Sequence, residues 1–284
     1  MLGKLVACRE FGARVSRARL PGVGTIDQME RHYRILGHLS MVYCVTFDRT
    51  GSYIITGADD NLIKVWDVHR GLLRYTYRGH SAEVADVTVS YCNQMIASGS
   101  VDKSIRVWSL STGETLQVFY HHTAVVARVK FLPFVDQTRR YLVSCALDCK
   151  VIFYPFDENT KEFEQNDIVI FDERESPGTR IISLCHSPSG QWIVVGDTHF
   201  YLRVFRITRG SGGATKFTDI CAHKVVYYIH RGSVISNKLS LKDRVDSLEW
   251  AHIGCQFASG SRDGLAKIWR FSCGKWRSIS LIVP

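Results

Sequence analysis

The chain has 284 residues, room for one large domain or two small ones, and 45% of them are hydrophobic, the share of an ordinary globular protein. No run of about 18 apolar residues occurs, so no transmembrane helix is expected. The formal net charge is +9, with seven basic and three acidic side chains in residues 1–34; the charge left on the body permits weak attraction to acidic surfaces without demanding it, because no Lys/Arg run interleaved with aromatics appears.

Residues 1–30 read as a basic leader, nearly free of acid up to position 25. That composition suits a transit peptide. A disordered leader, or a mis-assigned start of the reading frame, is the plainer reading and the favoured one.

From residue 31 the chain repeats itself. Gly37-His38 and Gly79-His80 lie 42 residues apart, as do Trp66 and Trp108, and His122 lies 42 beyond His80. "ITGADDNLIKVWDV" (55–68), "ASGSVDKSIRVWSL" (97–110), "VSCALDCKVIFYPF" (143–156), "VVGDTHFYLRVFRI" (194–207) and "ASGSRDGLAKIWRF" (258–271) are five versions of one phrase. A period of about 40–45, with Gly-His near its start and Trp-Asp near its end, resembles the WD repeat, one propeller blade per repeat. The expected fold class is all-β: a WD-repeat β-propeller with about five recognisable four-stranded blades, filling residues 31–284. Closed propellers of this type usually need about seven or eight blades, so the chain reads as an incomplete propeller.

The blades fall at about 34–70, 78–112, 120–156, 179–207 and 221–271. In the first, "MVYCVTF" (41–47), "YIIT" (53–56) and "LIKVWDV" (62–68) read as strands, separated by turns at Asp48–Gly51 and Asp59–Asn61. Between the third and fourth lies a polar connector (157–179), read as a surface loop with one strand, "IVIF", within it.

Each intact repeat holds a histidine, a hydroxyl residue, an aspartate and an aromatic that can form one chain of hydrogen bonds. A buried chain of this kind needs all its members together. The sets are His38, Thr56, Asp60, Trp66; His80, Ser98, Asp102, Trp108; His122, Ser144, Asp148, Tyr154; and His223, Ser259, Asp263, Trp269. They mimic hydrolase triads, but a catalytic site does not recur in every repeat, so the structural role is preferred. The fourth blade puts Val195, His199 and Phe205 at the hydroxyl, aspartate and aromatic positions, as though the network had been removed whole.

In the second blade Val84 follows His80 by four residues, and in the fifth the same spacing from His223 to Val245 appears only if Val225–Lys242 are taken out. This surplus segment, 225–242, is open to three readings: a surface insertion, a functional loop anchored by Tyr227 and Tyr228, or translated intron.

There are nine cysteines and no C-x-x-C pair, the closest spacing being Cys145 and Cys149. Free thiols in a reducing compartment are the simplest reading, and zinc is not expected. No Gly-rich phosphate loop or isolated nucleophile–base pair is visible. The sequence therefore implies no enzyme, cofactor, metal, membrane partner or small-molecule substrate. Propellers usually bind partners on the rim carrying the Gly-His loops. There the residue before each turn aspartate and the residue before each first strand should project: Asp59, Val101, Leu147 and Arg262, with Met41, Glu83, Val125 and Arg244. Asp59, Glu83, Arg244 and Arg262 are the candidate partner-binding residues; the two arginines suit a carboxylate, a phosphate or an acidic tail.

"RILGHLSMVYCVTFDRTG" (34–51), "RGHSAEVADVTVSYCNQMIASGSVDKSIRVWSL" (78–110) and "VDSLEWAHIGCQFASGSRDGLAKIWRF" (245–271) with "WRSI" (276–279) go beyond what blade chemistry requires. They resemble the bromodomain-and-WD-repeat family, the group of the pleckstrin-homology-domain-interacting protein. The resemblance implies a nuclear, chromatin-associated scaffold, with roles in transcription regulation, cell shape and cytoskeleton organisation. It also implies a substrate receptor that docks a ubiquitin-ligase adaptor, with chromatin proteins as partners. The adaptor-docking pattern, Trp-Asp-x-Arg, is imperfect: in "WDVHR" (66–70) Arg70 comes one position late, and "IWRF" (268–271) lacks the aspartate. The alternative is a stand-alone histone- or RNA-binding propeller, and a cytoplasmic location is the alternative to the nucleus.

Overall fold

The computed structural model describes residues 34–35, 37–133, 139–172, 178–199, 201–207, 225–228, 244–252, 255–262, 264–272 and 275–282. Within them the chain folds into five four-stranded antiparallel sheets, each of consecutive strands in sequence order. Blade 1 holds β1 (Val42–Phe47), β2 (Tyr53–Ala58), β3 (Ile63–Asp67) and β4 (Leu73–Tyr77). Blade 2 holds β5 (Val84–Val89), β6 (Met95–Ser100), β7 (Ile105–Ser109) and β8 (Thr115–Phe119). Blade 3 holds β9 (Val126–Phe131), β10 (Arg139–Ala146), β11 (Lys150–Asp157) and β12 (Val169–Asp172). Blade 4 holds β13 (Ile181–His186), β14 (Trp192–Asp197), β15 (Tyr201–Arg206) and β16 (Val225–Tyr228). Blade 5 holds β17 (Val245–Trp250), β18 (Gln256–Ser261), β19 (Leu265–Ser272) and β20 (Lys275–Ile282).

The repeated phrases supply the second and third strands of each blade; the first strand precedes them and the fourth lies beyond them. The strand expected in the polar connector is β12, the outer strand of blade 3, pairing with β11 from Lys150↔Asp172 to Phe153↔Val169. The first four residues of the surplus segment form β16, which pairs with β15 from Tyr201↔Tyr228 to Val204↔Val225. Residues 229–242 of that segment, and the leader 1–30, lie outside the described residues.

Each sheet has two apolar faces, and the core lies between blades rather than within them. The first, fourth and sixth residues of an inner strand turn back toward the preceding blade. In blade 2 these are Val84, Val87 and Val89, packed with Ile55, Ile63 and Val65 of blade 1. In blade 3, Val126, Val129 and Phe131 meet Ala97, Ile105 and Val107. In blade 4, Ile181 and Leu184 meet Val143, Val151 and Phe153. In blade 5, Val245, Leu248 and Trp250 meet Val194, Leu202 and Val204. At three of the four junctions a glycine on the second strand makes room for the first residue of the set, and in blade 3 Cys145 stands at that position beside Ile181. A Cβ on Gly57 would come within 2.7 Å of Val84 Cγ1, and one on Gly99 within 2.5 Å of Val126 Cγ1.

Two local devices recur. Every inner strand carries a β-bulge next to its first residue: the registers skip Tyr43, Ala85, Ala127, Ile182 and Asp246. A bulge re-aims the skipped side chain and sharpens the twist. In the turn between second and third strands, Asn61, Lys103 and Cys149 each follow the turn aspartate with φ of 63°, 70° and 65°. That left-handed conformation is costly for Lys103 and Cys149, and the hydrogen bonds to the aspartate hold it in place.

Truncating a buried junction residue should therefore be expensive, while truncating its counterpart on the bare face of blade 1 should not. Val126→Ala is expected to cost roughly 1–3 kcal/mol and Val42→Ala less than about 0.5 kcal/mol. Urea denaturation of the two variants checks this; equal losses would contradict the junction assignment.

Candidate functional site

The hydrogen-bonded chain recurs in blades 1, 2 and 3, and its tryptophan–serine link in blade 5. In blade 2 the Trp108 indole N–H donates to Ser98 Oγ (2.9 Å), Ser98 Oγ meets His80 Nε2 (2.8 Å), and His80 Nδ1 meets Asp102 Oδ2 (2.8 Å). The neutral imidazole that donates from Nδ1 and accepts at Nε2 satisfies every member in this order. Asp102 also accepts from the Ser81 amide, the Ser104 amide and the Ser104 hydroxyl, so one carboxylate fixes both the loop before the blade and the turn within it. Blade 1 repeats this: Trp66 to Thr56 at 2.9 Å, Thr56 to His38 at 2.7 Å, and His38 Nδ1 to both Asp60 oxygens at 3.0 Å.

In blade 3, His122 bridges Ser144 (2.7 Å) and Asp148 (3.1 Å). The aromatic is Tyr154, whose buried hydroxyl lies toward Ser144 but makes no hydrogen bond of acceptable geometry. A tyrosine supplies no donor where the indole N–H sits, so this chain is one link shorter. In blade 5, Trp269 donates to Ser259 at 3.0 Å, while His223 and Asp263 lie outside the described residues.

Blade 4 departs from the expectation of an emptied network. Val195 and Phe205 are buried as apolar residues, but a charged pair takes up the vacated role. Asp197 accepts the His199 amide at 2.8 Å and faces Arg203 across 3.4 Å, both side chains being almost wholly buried. The sequence signal was present: Arg203 stands two residues before the aromatic, where blades 1 and 2 have Lys64 and Arg106, and an aspartate replaces Ser100.

The candidate rim residues come together in pairs. The backbone N–H before each turn donates to the carbonyl before each inner strand: Asp59 to Met41 (2.9 Å), Val101 to Glu83 (3.0 Å), Leu147 to Val125 (3.0 Å) and Arg262 to Arg244 (3.2 Å). Blade 4 has the same pair, Thr198 to Arg180 at 2.9 Å, which the sequence reading passed over because this blade has neither Gly-His nor turn aspartate. The rim is polarised. Asp59 and Glu83 stand at blades 1 and 2, and Arg180, Arg244 and Arg262 at blades 4 and 5. Asp59 accepts the Ser40 hydroxyl at 2.7 Å. Asp246, the bulge residue of blade 5, lies 2.5 Å from Arg244 Nε and 3.5 Å from Arg262 Nε, so the two guanidiniums already share one internal carboxylate.

Two further groups are chemically quiet. Burial pushes the thiols of Cys44 and Cys145 up to about 12, which keeps them protonated. Asp67 of "WDVHR" caps its own turn, accepting the amides of His69 and Arg70 at 2.9 Å each.

Two expectations follow from the tetrads. Asp102→Ala removes the carboxylate that accepts from His80 Nδ1, the Ser81 amide and the Ser104 amide and hydroxyl, and should cost about 1–3 kcal/mol. Asp59→Ala, on the rim, should cost under about 0.5 kcal/mol; thermal melts of both variants make the comparison. The second concerns acid. Burial raises the Asp148 carboxyl, but hydrogen bonds from His122 and the Thr123 and Lys150 amides outweigh it and hold it down to about 2, from an ordinary 3.8. A depressed carboxyl adds stability above its unfolded value and loses it as pH falls toward the folded one. The stability gap between wild type and Asp148→Asn should therefore narrow between about pH 4 and pH 2 in urea titrations, and a constant gap would contradict the assignment.

Comparison with known proteins agrees with this geometry. The family model "WD domain, G-beta repeat" matches residues 30–67, 71–109 and 236–270: the first three strands of blade 1, then its outer strand with the first three of blade 2, and a stretch from inside the surplus segment into the third strand of blade 5. A bromodomain and WD repeat-containing protein of Dictyostelium discoideum is 35% identical over 63 residues, 22% of this chain and 3% of that protein. Two Arabidopsis thaliana proteins, pleiotropic regulator PRL2 and pleiotropic regulatory locus 1, are 45% and 43% identical over 47 residues, 16% of this chain and 10% of each. The chain thus spans only a small part of these relatives' length. It carries WD40 repeats, and its five sheets are blades of the WD β-propeller type.

Proposed function

We propose that the chain is the interaction scaffold of a nuclear, chromatin-associated protein and that the rim of blades 4 and 5 holds an acidic segment of a protein partner. WD40 repeats are protein-interaction modules, generally without catalysis of their own. The observation that carries the finer reading is the polarised rim. Arg180 and Arg262 are exposed, and Arg244 is half-buried beside them. Among the described rim residues, Arg180, Arg244 and Arg262 outnumber Asp246, the carboxylate that Arg244 and Arg262 share. Planar guanidiniums suit carboxylates in bidentate geometry. The likeness to a bromodomain and WD repeat-containing protein supports a chromatin setting and roles in transcription. The likeness to two pleiotropic regulators supports the nucleus more weakly. Docking to a ubiquitin-ligase adaptor is the least supported role, because Arg70 is displaced in sequence and the Asp67 carboxylate is engaged by its own turn.

Affinity capture from nuclear and cytosolic extracts, with partners quantified for wild type and for Arg180→Glu/Arg262→Glu, tests the reading. Nuclear partners should dominate, and the double variant should lose them about tenfold or more while melting like wild type. Undiminished capture by the double variant would remove the basic rim as the contact. Capture only of RNA-dependent material would favour the nucleic-acid alternative.

A further inference from the structure

Blade 5 differs from the others at one place on its rim. The Arg262 amide donates to the Arg244 carbonyl at 3.2 Å, which stands two arginines side by side. No other rim pair holds two cations: they are Met41 with Asp59, Glu83 with Val101, Val125 with Leu147, and Arg180 with Thr198. The bulge beside this pair is also unlike the rest. Tyr43, Ala85, Ala127 and Ile182 occupy it in blades 1 to 4, and none carries a charge; blade 5 has Asp246. The bulge aims that carboxylate at the pair, one oxygen to each arginine: Oδ1 lies 2.5 Å from Arg244 Nε and Oδ2 lies 3.5 Å from Arg262 Nε. The contact is loose. Arg244 Nε makes no hydrogen bond of acceptable geometry, so charge rather than an aligned N–H···O bond holds the carboxylate there. The side chains of Arg244, Arg262 and Asp246 are 42%, 62% and 40% exposed. Ion pairs this open to water add little to the fold.

We infer that Asp246 is an internal stand-in for the acidic segment: it closes the Arg244–Arg262 pair in the free protein and swings away when a partner's carboxylates enter. The inference rests on the basic-rim reading of the proposed function, and adds how that site is regulated and what it accepts. A partner with one carboxylate only exchanges it for the one already in place. A run of acidic residues replaces Asp246 and brings further charge, which Arg180 on the rim of the neighbouring blade can meet. The partner this site fits therefore carries consecutive Asp or Glu rather than an isolated acid. Because the competitor is part of the chain, it cannot be diluted away. It weakens every ligand of the pair by one factor, the reciprocal of the fraction of molecules in which the pair stands open.

Fluorescence anisotropy with labelled triglutamate and hexaglutamate peptides, at physiological salt and on the full chain, tests this. Asp246→Asn should bind each peptide about three- to tenfold more tightly than wild type, and by the same factor for both. Glu162→Gln removes an equal charge from an exposed position in the loop after β11, at the end of blade 3 away from the rim. It should bind as wild type does. Thermal melts verify folding, and Asp246→Ser replaces Asp246→Asn if that variant does not fold. Unchanged binding by Asp246→Asn overturns the inference. So does weakened binding, which would make Asp246 a residue that positions the arginines. A gain that grows with peptide charge, or that Glu162→Gln shares, also overturns it, because general repulsion then accounts for the effect. The rim reading has a separate control, the loss of peptide binding in Arg180→Glu/Arg262→Glu. Binding that survives in that double variant overturns the rim reading and the inference with it. Binding lost there, with no gain in Asp246→Asn, overturns the stand-in role alone.

Discussion

A four-stranded blade has an apolar face on each side, and no blade can cover its own. This constraint organises the molecule. The valines and isoleucines of one sheet are buried only because the next sheet lies about 10 Å away. Stability is then close to a sum over junctions between neighbours, as in other repeat architectures. The junctions are also directional. The back face carries the projecting residues of the first strand, and the forward face receives them with mostly β-branched residues and, in blades 1, 2 and 4, a glycine. Between blades 2 and 3 a polar latch adds to the packing: buried Asp86 accepts the Val129 amide at 3.0 Å, with Arg128 and Lys130 within 4 Å of its carboxylate.

Inside the blades the tetrad solves a different problem. The loop before each blade and the turn within it expose backbone amides that must be paired once the sheets stack. One aspartate collects those amides, and histidine, hydroxyl and tryptophan tie it to the sheet. Blade 4 reaches the same end with other residues. Its Asp197 collects a turn amide and is balanced by Arg203 rather than by histidine. A buried pair of this kind offsets its desolvation only with good geometry and adds little net stability. It does leave the turn satisfied, which an apolar replacement alone would not.

Much of this was legible in the sequence because period and chemistry coincide. The 42-residue spacing of Gly-His and of tryptophan identified the blades, and the requirement that buried polar groups be paired grouped His80, Ser98, Asp102 and Trp108 before any coordinates. The outer strands were harder. Leu73–Tyr77 and Thr115–Phe119 are half-exposed edge strands without a strong alternation, and Val225–Tyr228 sat inside a segment that spacing had marked as surplus. The bulges were not legible at all, since a skipped residue such as Ala85 has no compositional mark. Asp246 shows the consequence. Its sequence neighbours suggested a strand residue, but the bulge turns it toward Arg244 and Arg262 and changes what those arginines can offer a partner.

Blade 4 also separates what holds the rim from what holds the turn. It lacks the Gly-His, the turn aspartate and the tryptophan, yet its Thr198 amide meets the Arg180 carbonyl at 2.9 Å, within the 2.9–3.2 Å range of the other four blades. The tetrad therefore does not set the rim geometry. What all five blades share is the bulge next to the first residue of the inner strand and the antiparallel register that follows it. That pairing uses only backbone groups, so it fixes where the rim side chains stand without constraining what they are. Met41, Glu83, Val125, Arg180 and Arg244 occupy one structural position with five different chemistries. A frame whose geometry is set by main-chain hydrogen bonds, and whose side chains at that position carry no folding duty, is free to specialise for a partner one blade at a time.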